Sequence, residues 1–342
     1  MAADELHETA KALVADNKGI LAADESTGTI EKRFESISLE STEENRRAYR
    51  EMLFTTPDLE EYVSGVILYD ETLRQSASDG TPFAKLLADK GIVPGIKVDT
   101  GATDLAFAPG EKVTEGLDRL RGRLEEYRGL GARFAKWRAV IAIGDGIPTA
   151  YCIEVNAHAL ARYAALCQEQ GIVPIVEPEV LMDGDHDIET CYRATKRTLH
   201  KVFDELYHQR IDLEGMLLKP NMVLSGKGSA TQANAGEVAD WTLRCFRETV
   251  PAAVPGIVFL SGGQSDEQAS ENLNAINSHG PQPWVLSFSY GRALQAPALK
   301  AWGGSPENVD AGQSFLALRA RNNSAAVAGR YSAAMEELAR SS

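Results

Sequence analysis

The chain has 342 residues, 44% hydrophobic and 25% charged, which is enough for a large core in one α/β barrel or two smaller domains. Its formal net charge of −14 argues against nucleic acid and anionic membrane as main partners, so an anionic small molecule would need a local cationic pocket. No apolar run reaches the ~18 residues of a membrane span, and Cys152, Cys167, Cys191 and Cys245 form no CxxC pair, so free thiols and a cytoplasmic location are expected.

In chain order, MAADELHETAKALVADNKGI is acidic and amphipathic. It lacks a basic n-region and a long apolar core, so it reads as an N-terminal helix rather than a signal peptide. Eight β-rich runs follow: GILAADES (19–26), VSGVILYD (63–70), VPGIKVDT (93–100), ARFAKWRAV (132–140), VPIVEPEV (173–180), GMLLKPNM (215–222), GIVFLSGG (256–263) and WVLSFSYG (284–291). Most are nearly continuous Val/Ile/Leu stretches, as expected of strands covered on both faces.

Helix signals stand between them. Ser41-Thr-Glu-Glu44 is a capping box before a helix of about four turns. Residues 153–171 carry apolar positions at helical spacing and end at Gly171. Ser305-Pro306-Glu307 starts a helical tail over about 305–342. This alternation predicts an α/β fold, a single-domain (β/α)8 TIM barrel; an open doubly wound sheet is the alternative, weakened by the lack of a GxGxxG after any strand.

The strand ends carry the chemistry. Asp24 ends the first run, Lys97 and Asp99 the third, Lys136 and Arg138 the fourth, Glu177 and Glu179 the fifth, and Lys219 and Asn221 the sixth. Ser261-Gly262-Gly263 ends the seventh, and Ser289-Tyr-Gly-Arg292 the eighth. Residues i and i+2 of a strand share a face about 6.5–7 Å apart. A charged face fits the barrel mouth better than the apolar helix layer, and enzymes of this fold keep their chemistry at that rim. A single charged pair in a strand is usually structural; polar, charged or glycine-rich ends on seven strands point instead to an active site.

Lys219 sits inside an apolar run, so it is an accident, an ion pair or a reagent. As a reagent it needs a neutral amine, which apolar neighbours and a nearby cation such as Lys136 favour. That amine can attack a carbonyl to form a Schiff base, with Glu177 placed to shuttle protons. The Gly-Gly turn of FLSGGQSDEQA, leading into a helix, together with Gly291 and Arg292, suits an anion. Lys97 and Arg138 lie across the mouth for a second one, which suggests a bisphosphorylated carbonyl substrate.

Other stretches are read as structural. SGKGSAT (225–231) fails the phosphate-loop pattern and is taken as a mobile surface loop; DGDHD (183–187) is taken as a solvated acidic loop. The six histidines form no zinc motif, and the four tryptophans are taken as packing residues.

KGILAADESTGT, GIKVD, FAKWR, IVPIVEPE, LEGMLLKPNM, FLSGGQS and SFSYGRALQ…ALKAWGG resemble the class I fructose-1,6-bisphosphate aldolases, in order, from about residue 15 to 305. The resemblance implies a (β/α)8 barrel without metal or cofactor that reversibly cleaves fructose 1,6-bisphosphate, in glycolysis and gluconeogenesis, to dihydroxyacetone phosphate and glyceraldehyde 3-phosphate. It makes Lys219 the Schiff-base lysine, Glu177 the principal acid/base with Glu179 as its partner, Asp24 a residue that orients substrate and assists C–C cleavage, and Lys136 a catalytic cation. Arg138 becomes a phosphate ligand. Ser26, Thr29, Lys32 and Arg33 match the stretch lining the other phosphate end, away from the Schiff base. Ser261, Gly262, Gly291 and Arg292, with Ser289 on the same strand end, match the phosphate site near the Schiff base. It also implies sugar phosphates as ligands and a homotetramer. The chain departs from the animal and plant enzymes in ending MEELARSS instead of in tyrosine. Its last tyrosine, Tyr331, is expected to be held away from the site by a helical tail packed on the barrel.

Overall fold

The strands run β1 (Gly19–Ala23), β2 (Val63–Leu68), β3 (Val93–Lys97), β4 (Gly101–Asp104), β5 (Lys112–Glu115), β6 (Phe134–Ile141), β7 (Val173–Val180), β8 (Leu217–Leu218), β9 (Gly256–Phe259) and β10 (Val285–Tyr290). In the computed structural model, which describes residues 2–337, eight of them close in the order β1-β10-β9-β8-β7-β6-β3-β2. All barrel pairs are parallel, and β1 pairs with both β2 and β10, so the sheet has no open edge and the doubly wound alternative falls. Each predicted strand has its counterpart in the barrel. The sixth is the shortest, because Pro220 has no N–H to continue the ladder.

Inward residues change character along the barrel axis. At the lower end Ile20, Ile67, Phe134, Val173, Ile175, Leu217 and Val258 form one apolar cluster. The N-terminal helix Ala2–Leu13 closes that end with Leu6, Ala10 and Leu13, and Val14 follows them in. Two glycines make room. A Cβ on Gly95 would lie 2.3 Å from the Phe134 ring, and one on Gly256 would lie 2.5 Å from Val14. With the lower end plugged by hydrocarbon, polar side chains on the same strands can only open toward the other mouth.

Some boundaries differ from the sequence reading. The helix Glu43–Phe54 is capped by Thr42, whose hydroxyl accepts from the Asn45 N–H, so the cap falls one residue after Ser41. The long helix runs Ala150–Glu169, capped by Thr149, and therefore starts ahead of residue 153. The antiparallel hairpin β4–β5 carried no readable signal, since its strands have four residues each and are largely exposed. It leans on the barrel through Thr114, whose hydroxyl donates to the Arg138 carbonyl at 2.7 Å. The tail begins at Ser305 with the 3-10 turn Pro306–Asn308 and continues as the helix Val309–Val327. Residues 338–342 of the predicted tail lie outside the described residues.

Tyr331 is buried in the helical layer. Its N–H donates to Asn274 at 2.8 Å and its hydroxyl to Glu336 at 3.1 Å. Glu336 pairs with Arg319, a buried arginine that also donates to the Asp266 carbonyl and the Ser270 hydroxyl. Breaking a buried pair from one side costs roughly 3–5 kcal/mol, and the remaining Arg319 contacts place this case at the low end. Glu336→Ala should therefore lower the thermal midpoint by several degrees, whereas an unchanged melting curve would show that the Glu336 contacts add nothing to stability.

Candidate active site

Register sets the inner cluster. Lys97 is level with Lys136 across β3–β6, and Arg138 is level with Glu177 across β6–β7. The Lys219 N–H donates to the Val176 carbonyl at 2.8 Å, which extends the β7–β8 pairing just past Leu218 and brings Lys219 beside Glu177. Glu177 then lies between the two lysines. One oxygen is 3.2 Å from Lys219 Nζ and the other 3.3 Å from Lys136 Nζ. Lys136 also pairs with Asp24 at 2.7 Å. Lys136, Glu177 and Lys219 are each buried to within a few per cent, and Asp24 is nearly so.

The electrostatics follow from this grouping of two lysines and two carboxylates. Burial pushes the Asp24 carboxyl up, but Lys136 and Lys219 outweigh it and hold the group well below the usual carboxylate range. Glu177 behaves likewise: burial raises it, and Lys136, Lys219 and Arg138 bring it below its ordinary value. For Lys136, burial pushes the ammonium down while Asp24, Glu177 and Asp99 more than compensate, so it stays a cation. The expected neighbour of Lys219, Lys136, is present in the cluster, with the Glu177 carboxylate between them.

Farther up the wall, the Glu179 carboxylate is engaged by Arg138 Nε, so the ion-pair partner of Glu179 is this arginine. Lys97 Nζ binds Asp99 at 2.6 Å, and the other Asp99 oxygen accepts the Arg138 N–H at 3.3 Å. Asn221, which the run LLKPNM placed at the same rim, turns outward instead: it accepts the Val180 N–H at 3.0 Å and donates to Thr195 at 3.1 Å. Pro220 interrupts the strand alternation there.

In the turn after β9, Ser261 is buried, while Gly262 and Gly263 take positive φ of 49° and 81° that only glycine adopts at no cost. The Ser289 hydroxyl is buried without a hydrogen-bond partner. Arg292 is exposed and folds onto the turn, donating to the Gln264 carbonyl at 2.6 Å.

Ser26 stands at the N-cap position of the helix Thr27–Glu35 without a side-chain capping bond, its hydroxyl 3.0 Å from that of Thr29; Thr29 and Lys32 are exposed. Arg33 lies beside Gly291, 3.7 Å from where a Cβ would stand, so the fold groups Arg33 with the β10 end, across the mouth from Lys97 and Arg138. Sequence reasoning missed what holds it. Buried Glu25 pairs with Arg33, with Arg50 at 2.7 Å, and with Gln295 at 2.9 Å. Burial raises the Glu25 carboxyl, and the two guanidiniums pull it below its ordinary value. The available signal was a second acid next to Asp24 at the end of an apolar strand.

Among the described residues no group of three or more His, Cys, Asp or Glu side chains is arranged to hold a metal ion, and no helix is long and apolar enough to cross a membrane. All four cysteines are free and buried.

Comparison with known proteins gives one answer. A family model described as fructose-bisphosphate aldolase class-I matches residues 5–342. A Xanthomonas campestris pv. campestris protein named "Probable fructose-bisphosphate aldolase class 1" is 61% identical over 97% of this chain and 99% of its own length. An Arabidopsis thaliana protein named "Fructose-bisphosphate aldolase 4, cytosolic" is 54% identical over 96% of this chain and 84% of its own. Among solved structures, fructose-bisphosphate aldolase from Plasmodium falciparum, in a ternary complex with TRAP and a small-molecule inhibitor, superposes with a TM-score of 0.96 at 51% identity, covering 97% of this chain and 96% of that one. With the charged barrel mouth and the buried lysine described above, these matches lead to one conclusion: the chain belongs to the class I fructose-bisphosphate aldolase family.

Proposed function

We propose that the barrel mouth cleaves fructose 1,6-bisphosphate through a Schiff base on Lys219, the whole chain acting as one catalytic domain. The observation that carries the residue roles is Glu177 lying between Lys219 and Lys136, at 3.2 and 3.3 Å. Glu177 takes the proton that the Lys219 ammonium must shed, and the amine adds to the C2 carbonyl. The same carboxyl returns a proton to the carbinolamine hydroxyl, which leaves as water and yields the iminium. Asp24, held at Lys136, accepts the C4 hydroxyl proton as the C3–C4 bond breaks. The bond electrons move into the iminium, giving an enamine and glyceraldehyde 3-phosphate. Protonation at C3 and hydrolysis then release dihydroxyacetone phosphate and restore Lys219. Lys136 remains charged and stabilises the oxyanion character that develops beside it. Arg138 and Lys97 take one phosphate. Ser261, Gly262, Ser289, Gly291 and Arg292 take the other, with Arg33 beside Gly291 at that rim; Ser26, Thr29 and Lys32 line the first phosphate's end. Glu179 orients Arg138.

Borohydride added with dihydroxyacetone phosphate should inactivate the protein and label Lys219 on peptide mapping; label on Lys136 would reverse the two lysine roles. Activity should also survive chelation by EDTA, and loss of activity restored by zinc would refute a metal-independent reaction.

Arg292→Ala is expected to weaken dihydroxyacetone phosphate binding about 10- to 150-fold, the worth of a charge-assisted hydrogen bond, with a smaller change in turnover of bound substrate. Unchanged affinity would remove Arg292 from the site. Tyr331→Phe should leave proton exchange into dihydroxyacetone phosphate near normal, since the hydroxyl is spent on Glu336; a collapse of tritium exchange with cleavage intact would place Tyr331 at the enamine.

Cytoplasmic location and a homotetramer complete the proposal, supported by relatives named cytosolic and by the family resemblance. Light scattering should give about four times the 37.0 kDa chain mass.

A further inference from the structure

We propose that Lys227 is an additional ligand of the phosphate held at the β9–β10 end, carried to it by a loop tied to its neighbour. The inference deepens the proposed function and rests on that end taking a phosphate. The run SGKGSAT, expected to be a mobile surface loop, is fastened in the structure. Gly226, Lys227 and Gly228 donate their N–H groups to the carbonyls of His186, Met182 and Gly184, each at 2.8 Å. The two backbones touch: a Cβ on Gly226 would lie 2.5 Å from the Gly184 oxygen. The acidic loop after β7 and the loop after β8 therefore form one rim.

This rim aims Lys227 at the glycine turn after β9. The Lys227 Nζ and Cε both lie 2.7 Å from the point a Cβ on Gly263 would occupy, and Met182 Sδ lies 3.4 Å from it. The absence of a side chain at Gly263 leaves this space open to the lysine tip. Among the described residues, neither the Gly262 nor the Gly263 N–H has an acceptor, so open donors sit beside an ammonium. Lys227 is paired with Asp183 at 3.0 Å, and both side chains are about half exposed or more (48% and 65%). An exposed pair of this kind is weakly held. A phosphate dianion offers more charge and several acceptor oxygens, so it displaces Asp183 and recruits Lys227. Asp183 is the resting partner that keeps the ammonium at the turn. In a chain of net charge −14, such a local cation also offsets repulsion of a doubly phosphorylated substrate.

The test uses the full chain and compares Lys227→Met, Lys227→Arg and Asp183→Asn. Readouts are kcat and KM for fructose 1,6-bisphosphate and the inhibition constant of inorganic phosphate. Lys227→Met should raise KM and the phosphate inhibition constant about fivefold to tenfold, with kcat within about twofold. Lys227→Arg should restore most of the loss, and Asp183→Asn should tighten phosphate. A Lys227→Met protein with unchanged KM and phosphate inhibition would overturn the proposal. Borohydride trapping with dihydroxyacetone phosphate is run on the same samples. If Lys219 is labelled and the Lys227 variant is flat, only this inference falls; if the unaltered chain is not labelled at Lys219, the site reading falls first and this inference with it.

Discussion

Lys219→Met is expected to reduce cleavage of fructose 1,6-bisphosphate by at least about 10⁴-fold, a barrier increase of about 5 kcal/mol or more. The reason is specific to the nucleophile. Methionine fills much of the same buried space between Leu218 and Pro220, so packing changes little. The Glu177 carboxylate keeps Lys136 at 3.3 Å as a counter-ion. What disappears is the covalent electron sink, without which the C3–C4 bond electrons have no low-energy acceptor. Phosphate ligands on both sides of the mouth remain, so dihydroxyacetone phosphate binding should persist while borohydride ceases to trap it. Cleavage within tenfold of the unaltered protein, or trapping that continues at another lysine, would remove Lys219 from its role. Near-normal circular dichroism is the control that separates lost chemistry from lost fold.

The next largest effect is expected for Glu177→Gln. The amide keeps size and shape but cannot exchange a proton, and positioned acid–base groups contribute about 10²- to 10⁴-fold. A loss in that range is expected in kcat, with a smaller change in KM. The loss should appear in how the iminium forms, because carbinolamine dehydration needs a proton delivered beside Lys219. Single-turnover borohydride trapping of dihydroxyacetone phosphate should therefore slow by about the same factor as kcat. A structural role makes a different prediction. Glu177 is the shared partner of two buried lysines, so its loss also lowers stability. Normal trapping kinetics with a depressed melting temperature would assign Glu177 to that structural role alone.

Local pattern in the chain was sufficient for much of the architecture. Continuous apolar runs such as VPIVEPEV and GIVFLSGG are strands because both faces are covered, and alternation with helices restricts such strands to few arrangements. The polar residues at the ends of those runs could be seen to share a mouth, since a barrel has only one place for them once its other end is filled with hydrocarbon. Local pattern ends there. The strand period says which face a residue takes, not which neighbour it meets. Closure of the barrel fixed the stagger between strands, and that stagger set Glu177 between Lys219 and Lys136, turned Glu179 to Arg138, and placed Arg33 beside Gly291. Pro220 bent Asn221 out of the rim, which strict alternation would have kept inside. Glu25, Arg50 and Gln295 meet across 270 residues of chain, and Lys227 reaches Gly263 from a different strand's loop. Such contacts depend on three-dimensional closure, because a charge in a sequence carries no record of the distant group that will neutralise it.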